Sequence, residues 1–195
     1  TNLFVDGTLE LATGAPSVTL SGTGTHTGTL IAQGAPITLG GVQELADGAV
    51  LAGAAGFTWG GSGRVRLTGT GSGVTLAAGS RADVSDFTTV PGDGRLVNEG
   101  TLALAGSQTW EATIANAEAG RIALTTSRSF ETARFGSLEN AGILELQDDS
   151  VAAGGSQRVE FETLVNTGLF TVRRAPAPTR VQALVGAVEN DGVLS

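Results

Sequence analysis

Apolar and polar residues alternate along this chain in short bursts, and nearly every burst is closed by glycine, asparagine or proline. Val18-Thr19-Leu20, Ile37-Thr38-Leu39, Val65-Arg66-Leu67 and Val74-Thr75-Leu76 are apolar-x-Leu triplets of the first half. Leu102/Leu104, Ile122/Leu124 and Leu144/Leu146 keep the same two-residue period in the second half. A period of two puts alternate side chains on opposite faces of a strand, so each burst predicts a strand with one buried face. No segment sustains the 3.6-residue apolar period of a helix, and 30 glycines would penalise one, so little or no helix is expected.

The bursts belong to a longer repeat. From Leu96 onward a phrase recurs: apolar, any residue, Asn, a short spacer, Gly, then an apolar alternation. It reads Leu96-Val97-Asn98-Glu99-Gly100-Thr101-Leu102, returns around Asn116 with a longer spacer, and returns again at Leu138-Glu139-Asn140-Ala141-Gly142. Leu164-Val165-Asn166-Thr167-Gly168 and Val188-Glu189-Asn190-Asp191-Gly192 complete the series. The five asparagines stand 18, 24, 26 and 24 residues apart, which fits coils whose loops vary while one corner is kept. Asn and Gly both tolerate positive φ, so Asn-x-Gly predicts a sharp corner between strands. Stacked corners can also align asparagine amides into a hydrogen-bonded ladder.

The first half repeats without asparagine. Gly14-Ala15-Pro16 and Gly34-Ala35-Pro36 are near-identical lead-ins to strands, and Gly69-Thr70-Gly71-Ser72-Gly73 is a glycine-rich turn. These patterns predict an all-β fold, a single-stranded parallel β-helix or β-solenoid. At one coil per ~23 residues and ~4.8 Å per coil the chain makes about eight rungs, a rod on the order of 40 Å long. Residues 1–195 read as one solenoid domain, a segment of a longer repeat protein, with a loop or sub-boundary near 90–95 at Val90-Pro91-Gly92-Asp93-Gly94.

Composition narrows the function classes. The 11 basic residues are all arginine and the formal net charge is −8, which argues against nucleic acid, whose phosphates need clustered cations. No apolar run approaches the ~20 residues of a membrane-spanning helix. Cysteine is absent, so disulfides, thiolate metal sites and cysteine nucleophiles are excluded.

Phe57-Thr58-Trp59-Gly60-Gly61-Ser62-Gly63, Val74-Thr75-Leu76-Ala77-Ala78-Gly79-Ser80 and the Asn-x-Gly-Thr-Leu phrase at Asn98 resemble repeats of large secreted bacterial proteins. Such repeats occur in autotransporter passengers and filamentous-haemagglutinin-like adhesins. The resemblance implies a right-handed parallel β-helix, an extracellular or bacterial cell-surface location, and a structural or adhesive role.

Candidate chemistry is sparse. His26, the one histidine, lies in Gly24-Thr25-His26-Thr27-Gly28, with no nucleophile or carboxylate set beside it by sequence; an exposed turn or strand face is expected for it. Asp83 with Asp86, and Asp148 with Asp149, are weak calcium candidates against a reading as solvated acids. Glu160 and Glu162 flank Phe161 and should point away from the face that buries it. Gly60-Gly61-Ser62-Gly63-Arg64-Val65 approaches a calcium-binding glycine repeat, but Val65 stands where the acidic ligand is needed. Trp59 and Trp110 are expected to fill the coil interior; exposed, they would offer sugar-stacking platforms. Arg64 and Arg66, and Arg173-Arg174, read as solvated edge protection.

No cofactor and no resident metal are implied. The expected function is therefore a rigid extracellular repeat rod without catalytic activity. Its expected partners are identical subunits or further repeats end to end, and host or surface glycans. The alternative is a carbohydrate-binding or polysaccharide-degrading β-helix (a lyase or glycosidase), which requires a groove of Asp, Glu and Arg drawn from neighbouring coils.

Overall fold

The computed structural model describes residues 2–60, 64–85, 88–126, 131–148, 156–173 and 180–195. Every strand pairing among them is parallel, and the described residues contain no helix. Strands separated by roughly one coil in sequence lie side by side, so the chain winds as a β-solenoid. One face stacks nine strands: Val18–Leu20, Ile37–Leu39, Phe57–Trp59, Arg81–Val84, Thr101–Ala105, Arg121–Thr126, Ile143–Asp148, Leu169–Arg173 and Val193–Leu194. This stack is close to the about eight rungs expected from the repeat length.

The first coils have two further faces. Asn2–Val5, Thr23–His26, Val42–Leu45 and Arg64–Leu67 stack on one, and Thr8–Leu11, Thr29–Ala32, Val50–Ala52 and Val74–Leu76 on the other. Glycines in the left-handed region turn the chain between faces, among them Gly41 at φ 64° and Gly106 at φ 69°. Gly106 is the last glycine with positive φ among the described residues. Gln108–Trp110 and Thr113–Asn116 are the last separate pair; both pair with Glu131–Asn140, and from there the two faces run as single long strands, Glu131–Asn140, Ser156–Asn166 and Arg180–Asn190. Residues 91–94 turn a corner inside the same stack: the Leu67 amide donates to the Pro91 carbonyl, and the Gly94 amide to Leu67. Asparagine-free and asparagine-bearing coils are joined directly, with Val74–Leu76 in register with Leu96–Asn98.

Alternation decides which side chains fill the coil. In Arg64–Leu67 both arginines are exposed while Val65 and Leu67 are buried. Leucines, isoleucines, valines and the rings of Trp59, Trp110, Phe135, Phe161 and Phe170 form one apolar cluster running through the stack. Trp59 and Trp110 pack with ring centroids 5.9 Å apart, and Phe135 stacks on Phe161 at 5.3 Å. Each large buried ring or aliphatic chain contributes roughly 1.5–3 kcal/mol by leaving water.

Candidate functional site

The five repeated asparagines line one inner corner. The Asn98 side-chain amide donates to Asn116 Oδ1 at 2.6 Å, Asn116 to Asn140 at 2.7 Å, Asn140 to Asn166 at 2.6 Å and Asn166 to Asn190 at 2.7 Å. The first four are almost wholly buried. Each amide nitrogen has a second proton, which Asn98, Asn116 and Asn140 give to the carbonyls of Arg121, Ile143 and Leu169 in the next coil. That second bond sets the amide orientation, because a flipped amide would face oxygen toward oxygen. Buried amides of this kind stabilise only while their partners are present.

The glycines of the same corner act differently from the sequence expectation. Gly100, Gly120, Gly142, Gly168 and Gly192 do not have positive φ. Their lack of a side chain is needed for stacking. A Cβ at Gly120, Gly142, Gly168 or Gly192 would lie closer than 3.0 Å to a backbone carbonyl oxygen of the preceding coil. The amide following each glycine donates to the equivalent carbonyl one coil back, as from Ile143 to Gly120 and from Leu169 to Gly142. Close backbone approach, rather than left-handed geometry, is the reason for this glycine column.

A second inner corner carries glutamine, which the repeat analysis did not single out. Gln43 donates to the carbonyls of Gly40 at 2.7 Å and Leu20 at 3.1 Å, and Gln108 to those of Ala105 and Ser85, both at 2.6 Å. Each glutamine thus ties its own turn to the turn of the coil before. The sequence signal was Gly-x-Gln, with Gly41 and Gly106 both left-handed. It recurs at Gly155-Ser156-Gln157, outside the described side chains.

His26 is not on an exposed face, contrary to expectation; it is fully buried. Its Nε2 lies 2.8 Å from Gln43 Oε1. The Gln43 amide nitrogen is committed to carbonyls, so His26 must be the donor in this pair. Gly24 makes the room, since a Cβ there would run into Gln43 Oε1 and His26 Nε2. The imidazole is a packing element shut away from substrate.

Trp59 and Trp110 are 0% and 1% exposed and fill the coil interior as expected, so neither ring face can take a sugar. Both carboxylate oxygens of Asp83 accept from Arg81 Nε, at 2.9 and 3.0 Å. This hydrogen bond raises the Arg81 guanidinium above its ordinary value, against a smaller opposing effect of burial and with added charge attraction. Asp86, Asp149 and the Asp148 side chain lie outside the described residues, and no group of three or more metal-ligating side chains gathers among the described ones. No helix of the described residues is long and apolar enough to cross a membrane.

Outward charges pair across coils. Glu145, almost buried, is held between Arg121 and Arg173, the latter at 2.8 Å. Arg95 forks onto Glu139 at 2.6 and 3.0 Å, passing over Ala115 of the coil between them. On the merged face an open groove of about 730 Å³ includes Glu111, Arg134, Arg158, Glu160 and Glu162 in its lining. Glu160 pairs with Arg158 and, at 2.8 Å, with Arg134, while Glu162 points outward and Phe161 inward. Gly136 lies between Glu111 and Glu162 in the stacking direction and leaves the groove floor bare. Chemically this surface offers paired charges to a polar ligand. Comparison with protein families, curated proteins and solved structures gives no match, so residues and geometry alone carry the functional reading.

Proposed function

We propose that the chain is a structural or adhesive rod of a bacterial surface, a non-catalytic segment of the kind found in autotransporter passengers and filamentous-haemagglutinin-like adhesins. The observation that carries this reading is the continuity of the stack. Nine parallel strands stack on one face, one apolar cluster runs through all but the last of them, and an amide ladder on the neighbouring corner ties together five successive coils. Such an arrangement spends its polar groups on holding coils together and yields length and stiffness. The extracellular location rests on the resemblance of the repeat phrases alone.

The test has two parts. Pulled end to end in an optical trap, the rod should yield in successive steps near the length of one ~23-residue coil. Incubated with a panel of uronate and neutral polysaccharides, it should release no unsaturated product and no new reducing ends. Turnover of any member overturns the non-catalytic reading.

A second reading, glycan binding, is favoured by the groove of Glu and Arg from adjacent coils. A glycan array probes it directly. Binding that disappears in a Glu111→Ala/Glu162→Ala variant would assign the groove; retained binding would place the ligand elsewhere.

A further inference from the structure

The groove on the merged face has a regular floor. Glu111, Gly136, Glu162 and Gly186 succeed one another on neighbouring coils, so this outward column reads acid, bare, acid, bare. The glycines sit close on backbone: a Cβ at Gly136 would lie 3.2 Å from the Glu111 carbonyl oxygen, and one at Gly186 2.7 Å from that of Glu162. Coils repeat every ~4.8 Å, which sets the two glutamate positions about 9.6 Å apart along the stack. Two residues back along the strands, about 6.6 Å away, Arg134 and Glu160 stand on the next outward column, with Arg158 a further step back.

Charge is divided unevenly between these columns. Glu160 pairs with the Nε of both Arg134 and Arg158, so that ridge carries one positive charge in excess. Glu111 and Glu162 are exposed and make no ion pair among the described residues. The lining as a whole has three carboxylates to two guanidiniums, and the excess lies beside the bare glycines. An acidic sugar would bring its carboxylate onto two others, which like-charge repulsion opposes. A protonated amine meets the same pair through charge-assisted hydrogen bonds, roughly twice as strong as those of a neutral hydroxyl. Spacing narrows the carrier. An extended peptide laid along the stack shows same-side groups about every 6.6 Å, out of step with the glutamates. A two-fold ribbon of β-1,4-linked sugars advances by about one coil spacing per ring. It therefore shows the same substituent on the same edge at every second ring, in step with Glu111 and Glu162.

We infer that the groove takes an amino glycan, a β-1,4-linked oligomer of sugars bearing free amines, lying along the stack. The ammonium groups of alternate rings meet Glu111 and Glu162, and the ring between them lies over Gly136. Arg134 and Arg158 donate to hydroxyl and ring oxygens along the other edge, since a guanidinium has more N–H donors than a shared carboxylate can use. This assignment rests on the glycan-binding reading of the groove and adds the sugar class and its register.

The experiment is a calorimetric titration of the chain at about pH 6, where sugar amines are largely protonated. The probes are a β-1,4-linked glucosamine hexamer, its N-acetylated counterpart, a glucose hexamer, a galacturonate hexamer and spermine. The glucosamine hexamer should bind about tenfold tighter than any other probe. Glu111→Gln and Glu162→Gln should each weaken it about fivefold, with unfolding midpoints unchanged because both side chains are exposed. A Glu99→Gln/Glu118→Gln variant, which removes two exposed charges outside the groove, should bind as the unmodified chain does. Equal weakening in that variant, spermine matching the hexamer, or glucosamine binding that survives loss of Glu111 and Glu162 would each reduce the effect to general attraction and overturn the inference. Tighter binding of the N-acetylated, glucose or galacturonate hexamer would overturn the amino-sugar class. If that binding is lost with Glu111 and Glu162, the glycan-binding reading still stands. No binding by any of the four sugars also overturns the inference, and an empty glycan array would then remove the broader reading with it.

Discussion

Breaking the ladder in its middle should cost far more than shortening it by one step. Asn98 is the first member, and Leu76 precedes it in the column, so Asn98 Oδ1 is already buried without a hydrogen-bond donor. Replacing Asn98 by Leu removes its bonds to Asn116 Oδ1 and the Arg121 carbonyl. It also moves the single orphaned acceptor from Asn98 to Asn116, leaving the number of orphans unchanged. Replacing Asn140 by Leu removes three bonds, from Asn116, to Asn166 and to the Leu169 carbonyl, and orphans Asn166 Oδ1 in addition. The difference is one hydrogen bond, about 1 kcal/mol, plus one buried orphan, about 1–3 kcal/mol. Asn140→Leu should therefore destabilise by about 2–4 kcal/mol more than Asn98→Leu, the similar sizes of the two side chains cancelling most of the packing change. Urea unfolding followed by the buried indoles of Trp59 and Trp110, with amide exchange around residues 138–144 as the local reading, measures it. Equal losses in the two variants would refute the ladder as a cooperative element and reduce it to ordinary core packing.

Three other outcomes follow from the geometry. Gly142→Ala drives a Cβ onto the Gly120 carbonyl and should cost more than about 2 kcal/mol, whereas Gly79→Ala meets open space and should cost about 1 kcal/mol from its φ of 75° alone, both read as denaturation midpoints. Asp47 accepts the amides of Gly71 at 2.8 Å and Gly73 at 2.9 Å, so Asp47→Ala should lose about 1.5–3 kcal/mol and speed exchange of those two amides while sparing Asn98 and its neighbours. Arg81 and Asp83 are both half exposed, so Arg81→Ala should change stability by less than about 1 kcal/mol, and a larger loss by thermal unfolding would assign that pair a structural weight it lacks here.

Much of the fold was legible because it is written in local periodicities. Alternation named the strands, and the asparagine spacing named the coil, because stacking forces like residues into register. Asn98 through Asn190 could be found without coordinates for that reason. His26 and Gln43 could not: they are 17 residues apart, and their pairing depends on Gly24 clearing space in one coil for a side chain of the next. The groove charges were invisible for the same reason, since Arg134 and Glu160 meet only across coils.

By itself, then, the order of residues determined a parallel stack with one asparagine-lined corner, through the two-residue period and the recurrence of Leu-x-Asn-x-Gly. Only the tertiary structure decided the rest. It placed the corner glycines at carbonyl contacts instead of left-handed turns, and it buried His26 against Gln43. It also merged two faces into one from the strand Glu131–Asn140 onward. The division has one physical cause: a strand's period is a property of adjacent residues, whereas burial, close approach and pairing between coils are set by neighbours about a coil's length away in the chain.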